Sequence, residues 1–152
     1  MLYKGPGLIP DERGNMSIYL ERAKKLRACT ERHYNCAQSV LVPFADVLGI
    51  AEETLFKMGA NFGAGMRNGS VCGAVTGALM VLGLAGVEDA GTVQELFGKV
   101  REHHDGATDC KDLLRINKEK GGDRHAHCDN IVYELLGLTE QILEERGILK
   151  AD

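Results

Sequence analysis

Tryptophan is absent from this 152-residue chain, and aromatic residues make up only 5% of it. Single-stranded nucleic acid is held largely by stacking on aromatic side chains, so that class of function loses its usual chemistry. Basic runs are equally scarce. None exceeds Lys24-Lys25, the net charge is −4, and no footprint for a phosphate backbone exists. The N-terminal Met1-Leu2-Tyr3-Lys4-Gly5-Pro6-Gly7 lacks the apolar core of a secretory signal, which makes a cytoplasmic location the expectation. The one nearly uncharged stretch, residues 71–87, is shorter than the roughly 20 residues that span a bilayer. Interrupted by Gly73, Gly77, Gly83 and Gly86, it reads as a buried central helix rather than a transmembrane segment.

Several site motifs are missing as well. There is no C-x2–4-C knuckle of the kind that organises a zinc finger, and no C-x-x-C-H for covalent haem attachment. The glycine-rich segment 63–77 lacks the G-x4-G-K-S/T order of a P-loop and follows no predicted strand, so neither a nucleotide-phosphate loop nor a Rossmann turn is expected. No Ser/His/Asp constellation is readable. Sustained period-two alternation, the mark of half-buried strands, is absent too.

What remains is helical. Hydrophobic residues at 44% suffice for one core without staples, and the 26% charged residues argue against a large assembly while remaining compatible with a dimer. The expected organisation is an irregular Gly/Pro-rich arm at residues 1–14 followed by a single helical four-cysteine domain at 15–152. Residues 16–29 carry an apolar stripe at Met16, Tyr19, Leu20, Ala23 and Leu26. A helix over 36–48 must kink or break at Pro43, whose ring removes a donor and clashes one turn back. Further helices are expected over 51–61, over 71–85, behind a Thr92/Glu95 capping box and ending at His103-His104, and briefly after Cys110. The last covers 129–146, with Gly137 and Thr139 as a candidate split. The prediction is an all-α, single-domain bundle of six or seven helices.

The chemistry lies in the cysteines. Cys36 follows Asn35, Cys72 follows Ser70 at the exit of the glycine-rich loop, Cys110 follows Thr108-Asp109, and Cys128 precedes Asp129-Asn130. Asn, Ser, Thr and Asp cap helix starts, and a thiol there meets unpaired N–H groups and the positive end of the helix dipole, which favour thiolate. Thiolate is the form that binds metal or attacks a disulfide. The intervening gaps of 35, 37 and 17 residues mean that a shared site has to be assembled by the folded bundle rather than by a local knuckle. The plainer alternative is four small apolar core residues. Cys29, near the negative end of its helix and about 10 Å of helical rise from Cys36, is expected to be a buried structural thiol.

Gly73 and Gly77 stand one turn apart beside Ala74 and Ala78, a flat stripe that lets another backbone approach. With Ser70 they are the expected supporting residues of the site. His125 and His127 beside Cys128 are candidate zinc ligands, or else solvated or supporting groups. His103 and His104 read as a charge pair favourable to an exposed helix C-terminus.

Cys36, then Cys72-Gly73-Ala74-Val75-Thr76-Gly77 after a glycine-rich loop, then Cys110 and Cys128, resembles the redox-active family labelled C-GCAxxG-C-C, over roughly residues 30–145. The resemblance implies a small helical redox protein, often encoded near transporters. It marks Cys36, Cys72, Cys110 and Cys128 as the residues that bind cofactor or metal; Cys29 has no counterpart. A related domain in split-Soret cytochromes implies an iron–sulfur cluster, although this chain lacks their haem motifs. The leading expectation is an iron–sulfur cluster of the 2Fe–2S type held by those four thiolates, for electron transfer or redox sensing with an unidentified redox partner. The alternatives are a cluster-free thiol–disulfide protein and a zinc module using Cys with His125 or His127. Catalytic residues, and whether the chain is an enzyme at all, are not legible at this level.

Overall fold

The computed structural model describes residues 17–150, and the expected arm at 1–14 lies outside them. Among the described residues the fold is all-helical, with no strands and a single isolated antiparallel bridge between Val71 and Asp109. Helix α1 (Ile18–Ala28) opens on the Ser17 hydroxyl, which accepts from the N–H groups of Tyr19 and Leu20. Helix α2 (Cys36–Leu41) starts with a full capping box: Asn35 Oδ1 accepts from Gln38 N at 2.8 Å, and Gln38 Oε1 accepts from Asn35 N at 2.9 Å. Pro43 then breaks the helix as expected, through a 3-10 turn (Val42–Phe44) into the short α3 (Ala45–Leu48). The remaining helices are α4 (Glu52–Gly59), α5 (Gly73–Leu84), α6 (Ala90–His103), α7 (Cys110–Glu119) and α8 (Arg124–Glu145). Counting α2 and α3 as one broken helix gives seven among the described residues, within the expected range.

The centre of the bundle is α2 packed on α5, with α8 lying across both. Glycine makes the first contact possible. A Cβ at Gly77 would stand 2.7 Å from the Ala37 carbonyl oxygen, and one at Gly73 would stand 2.7 Å from the Phe62 carbonyl oxygen and 3.2 Å from Cys36 Cβ. The small-residue stripe is therefore a helix-packing surface, and it brings the start of α5 against the start of α2. Val40, Leu41, Phe44, Val75, Leu82, Leu135 and Leu138 fill the core around this contact. No helix among the described residues is long and apolar enough to cross a membrane.

Four expectations need correction. Helix α6 begins at Ala90, two residues before Thr92, because the cap is Asp89: its carboxylate accepts both the Thr92 N–H (3.0 Å) and its hydroxyl (2.7 Å), and Arg146 holds that carboxylate at 2.8 Å. A charged, pinned acceptor outcompetes the Thr92/Glu95 box. Helix α8 begins at Arg124, capped by Asp123, and runs unbroken through Gly137 and Thr139; the Thr139 hydroxyl donates to Leu135 O and is satisfied within the helix. His103 and His104 are not an exposed pair: both imidazoles donate to the buried Glu134 carboxylate, at 2.9 and 2.6 Å. Cys29, the C-cap of α1, is exposed rather than buried, because the chain turns away from the bundle there.

Candidate functional site

Two local devices bring cysteines together. In the first, segments 70–72 and 108–110 run antiparallel about the Val71–Asp109 bridge, with Cys72 N–H donating to Thr108 O (2.9 Å) and Cys110 N–H to Ser70 O (2.7 Å). In that register Cys72 and Cys110 are diagonal neighbours on one face, a relation that spaces Cα atoms by roughly 7–8 Å. Cys72 is the N-cap residue of α5 and Cys110 the first residue of α7. In the second device, Cys36 at the first position of α2 meets Cys128 in the second turn of α8, and each thiol shifts the ionisation of the other. Cys128 is thus inside its helix, four residues beyond Arg124, rather than ahead of it; the expected helix start was misplaced by five residues.

All four sulfur-bearing residues line one open cavity of about 440 Å³, together with Arg27, Ala64, Gly73, Arg124, His125 and His127. A tight loop closes its side. Ala64, Gly65, Met66 and Arg67 are all left-handed, with φ of 52°, 63°, 59° and 54°, and Ser70 N–H closes the turn on Gly65 O at 2.9 Å. Each non-glycine residue held this way costs about 1–2 kcal/mol. Glycine is required at 65, where a Cβ would lie 2.3 Å from Ser70 O and 2.9 Å from Cys110 Cβ. Ser70 therefore supports the site through its backbone, which accepts from Cys110.

The thiols are electrostatically unequal. Burial pushes Cys72 up to about 12, although the N–H groups of Ala74 and Val75 offset part of that shift. Its thiol makes no capping hydrogen bond, and the Val75 N–H donates to the Cys72 carbonyl oxygen at 3.0 Å. Burial, with the nearby Cys128, also raises Cys110. Hydrogen bonding to Cys128, then burial, raises Cys36. Cys128 is lowered to about 6, chiefly by that hydrogen bond and further by the guanidiniums of Arg27 and Arg124. The helix dipole, the reason for expecting Cys128 as a thiolate, is not what lowers it.

A family profile described as "Putative redox-active protein (C_GCAxxG_C_C)" matches residues 34–142, most of the chain and all four of these cysteines. The chain belongs to that family. No curated protein and no solved structure matches it. Family membership assigns the chain to this redox-active cysteine-motif class and leaves the cofactor open.

His125 and His127 also line the cavity. His125 is exposed and within 3.5 Å of Asp129, while burial lowers His127. No three Cys, His, Asp or Glu side chains among the described residues converge as ligands of one ion. Sequence reasoning missed Arg27, Arg124 and the left-handed turn. Arg124 was recoverable, since it precedes Cys128 by four residues and shares its helix face once Asp123 is taken as the cap. Arg27 sits among other charged residues of α1 and carries no local signal.

Proposed function

We propose that the protein is an electron-transfer or redox-sensing protein whose four thiolates hold a 2Fe–2S cluster, Cys36 with Cys128 on one iron and Cys72 with Cys110 on the other. The observation that carries this reading is the two-plus-two arrangement of cysteines on a single cavity. A 2Fe–2S cluster takes four cysteine thiolates, two per iron, with sulfide completing each iron. Two close pairs therefore suit it, whereas a single zinc ion needs its four donors around one point. The donor chemistry fits as well. Burial and mutual proximity raise Cys36, Cys72 and Cys110, and a bound cation relieves that penalty. When bound, the cluster supplies one-electron chemistry. The chain supplies the rest: N–H groups at the α5 start facing sulfur, the Arg27 and Arg124 charges beside Cys128, and a close α2–α5 contact through Gly73 and Gly77 that fixes Cys36 relative to Cys72. All five cysteines are unbridged, which suits a reducing cytosol and a soluble redox partner.

The test is anaerobic reconstitution with iron and sulfide. About two irons and two sulfides per chain, with a coloured spectrum lost on Cys72→Ser or Cys128→Ser, is the expected result. Protein that stays colourless and iron-free sinks the reading.

The Cys36–Cys128 contact favours a second reading, a cluster-free dithiol. The Cys128 thiolate attacks one sulfur of a small disulfide RSSR and RS⁻ leaves; the Cys36 sulfur then attacks Cys128 Sγ and the second RS⁻ leaves. The dithiol is oxidised by two electrons and RSSR is reduced to two RSH. Iron analysis of the reconstituted wild type separates the readings: the cluster reading predicts about two irons per chain, whereas the dithiol reading predicts none and a 36–128 disulfide that a Cys72→Ser/Cys110→Ser double variant still forms.

A further inference from the structure

Arg27 lies on α1, which contributes no cysteine to the site, yet its guanidinium is a lining group of the cysteine cavity. Its side chain is 8% exposed. Nε donates to Asp129 Oδ1 at 2.7 Å, and Nη1 donates to the Tyr34 carbonyl oxygen at 2.9 Å. Asp129 immediately follows Cys128, and Tyr34 stands two residues before Cys36. One planar fork therefore grips the chain beside each member of the Cys36/Cys128 pair. No backbone hydrogen bond joins these two segments among the described residues, in contrast to the Cys72/Cys110 pair, which has two. The same guanidinium carries a positive charge close to both sulfurs and, with Arg124, favours negative charge on Cys128.

We infer that Arg27 is the positioning residue of the Cys36/Cys128 half of the redox centre: a clasp between α2 and α8 that also compensates the negative charge gathered there. The inference rests on that pair being functional, under either reading given above. Lysine cannot replace it, because an ammonium is a point charge without the fork that reaches Asp129 and Tyr34 in two directions. The other ion pair that α1 makes with a neighbouring element, Arg22 with Asp46, is more exposed, stands on α3 away from the cysteines, and serves as the internal control.

The test compares wild type with Arg27→Gln, Arg27→Lys and Arg22→Gln in two assays. In cluster-free reduced protein, diamide drives closure of the 36–128 disulfide. Arg27→Gln and Arg27→Lys are expected to close it at least tenfold more slowly, with Arg22→Gln unchanged. In reconstituted protein, Arg27→Gln is expected to lose iron at least tenfold faster and to shift the potential to more negative values, because the reduced, more negative form loses its nearby cation; Arg27→Lys keeps the potential but not the retention of iron. Should Arg27→Gln not fold by circular dichroism, Asp129→Asn removes one grip while leaving the Tyr34 bond, and an intermediate slowing is expected. Variants indistinguishable from wild type overturn the clasp, as does full rescue of closure by lysine. Wild type that neither loads iron nor closes the disulfide removes the functional reading and the clasp together, whereas wild type that loads while Arg27→Gln loads equally well removes the clasp alone.

Discussion

The two halves of the cysteine site are built on different principles. Cys72 and Cys110 are fixed by backbone: the two main-chain hydrogen bonds of the Val71–Asp109 bridge lock the segments that lead into α5 and α7, and Gly65 lets a third segment press against Cys110. Cys36 and Cys128 are brought together by side chains, through the Arg27 fork that reaches the chain beside each of them. Backbone clamps resist substitution and hold thiols in place whatever their charge. Side-chain contacts can respond to charge. The site thus combines a half held by main-chain bonds, with both thiols raised, and a half held by side chains, with one thiol raised and the other lowered.

The largest expected effect is on reactivity. At pH 7, thiols at about 6 and about 12 differ in thiolate fraction by roughly 10⁵, while the lower intrinsic nucleophilicity of the more acidic thiol returns roughly 10²–10³ of that. In iron-free, reduced protein on a Cys29→Ser background, timed iodoacetamide labelling with peptide mapping should therefore show Cys128 reacting about a hundredfold faster than Cys72 or more. Equal labelling breaks the comparison. Changing Cys36 to Ala should move the inflection of Cys128 labelling to higher pH, since the hydrogen bond from Cys36 is the leading cause of its lowering. Cys110→Ala should leave that inflection nearly in place.

Stability separates the halves next. Gly65→Ala adds a Cβ 2.3 Å from Ser70 O at a left-handed residue, and a loss of about 2–4 kcal/mol is expected in urea denaturation. Gly73→Ala meets Phe62 O at 2.7 Å and pushes on Cys36, with about 1–3 kcal/mol expected. Gly83, in the same helix as Gly73, has nothing within 4 Å of its missing Cβ, so Gly83→Ala should stabilise by up to about 1 kcal/mol. A uniform response across the three would show that helix propensity, not approach to the site, sets the effect.

These contrasts also mark how far the sequence could be read. Asn35 and Gln38 three residues apart announced the start of α2, Pro43 its break, and the Gly73/Gly77 stripe its close packing on α5, because each is a local rule acting on adjacent residues. The start of α8 was misread because Asp129-Asn130 offers caps as good as Asp123; in the fold the Asp123 carboxylate accepts from Ala126 N–H at 2.9 Å, while Asp129 is engaged by Arg27 of α1. That error carried Cys128 to the wrong end of the dipole argument. The exposure of Cys29, the pairing of His103 and His104 with the buried Glu134, and the reach of Arg27 across to α8 depend on which helices become neighbours, and no periodicity along one segment encodes that.

The pH dependence of stability follows with opposite signs for Cys128 and Cys72. Cys128 is lowered in the fold, from an ordinary value near 9 to about 6, so its contribution is absent below about 6, grows as pH rises to 9, and is complete above. Cys72 is raised, so the unfolded chain ionises first; its contribution is full below about 9 and is lost as pH rises towards 12. Thermal melts of iron-free protein should show the gap between wild type and Cys128→Ser widening from pH 6 to 9. The gap between wild type and Cys72→Ser should narrow only above 9. Parallel curves would mean that the two thiols share one environment.

The smallest effect concerns the turn beside the half held by main-chain bonds. Met66 is left-handed with φ 59° and 43% exposed, so its side chain has little burial to set against the backbone strain. Glycine at 66 removes about 1–2 kcal/mol of that strain but restores conformational freedom to the unfolded chain, which costs about 0.4–1 kcal/mol. Met66→Gly should therefore raise stability by about 0.5–1 kcal/mol while leaving Cys110 labelling unchanged, because Gly65 and the Ser70 bonds, not Met66, hold that cysteine. A gain in stability with faster Cys110 labelling would mean that the strained residues themselves press the loop onto the thiol. In that case the strain would serve the site, and the rigidity of this half would come from the turn as much as from the backbone clamp.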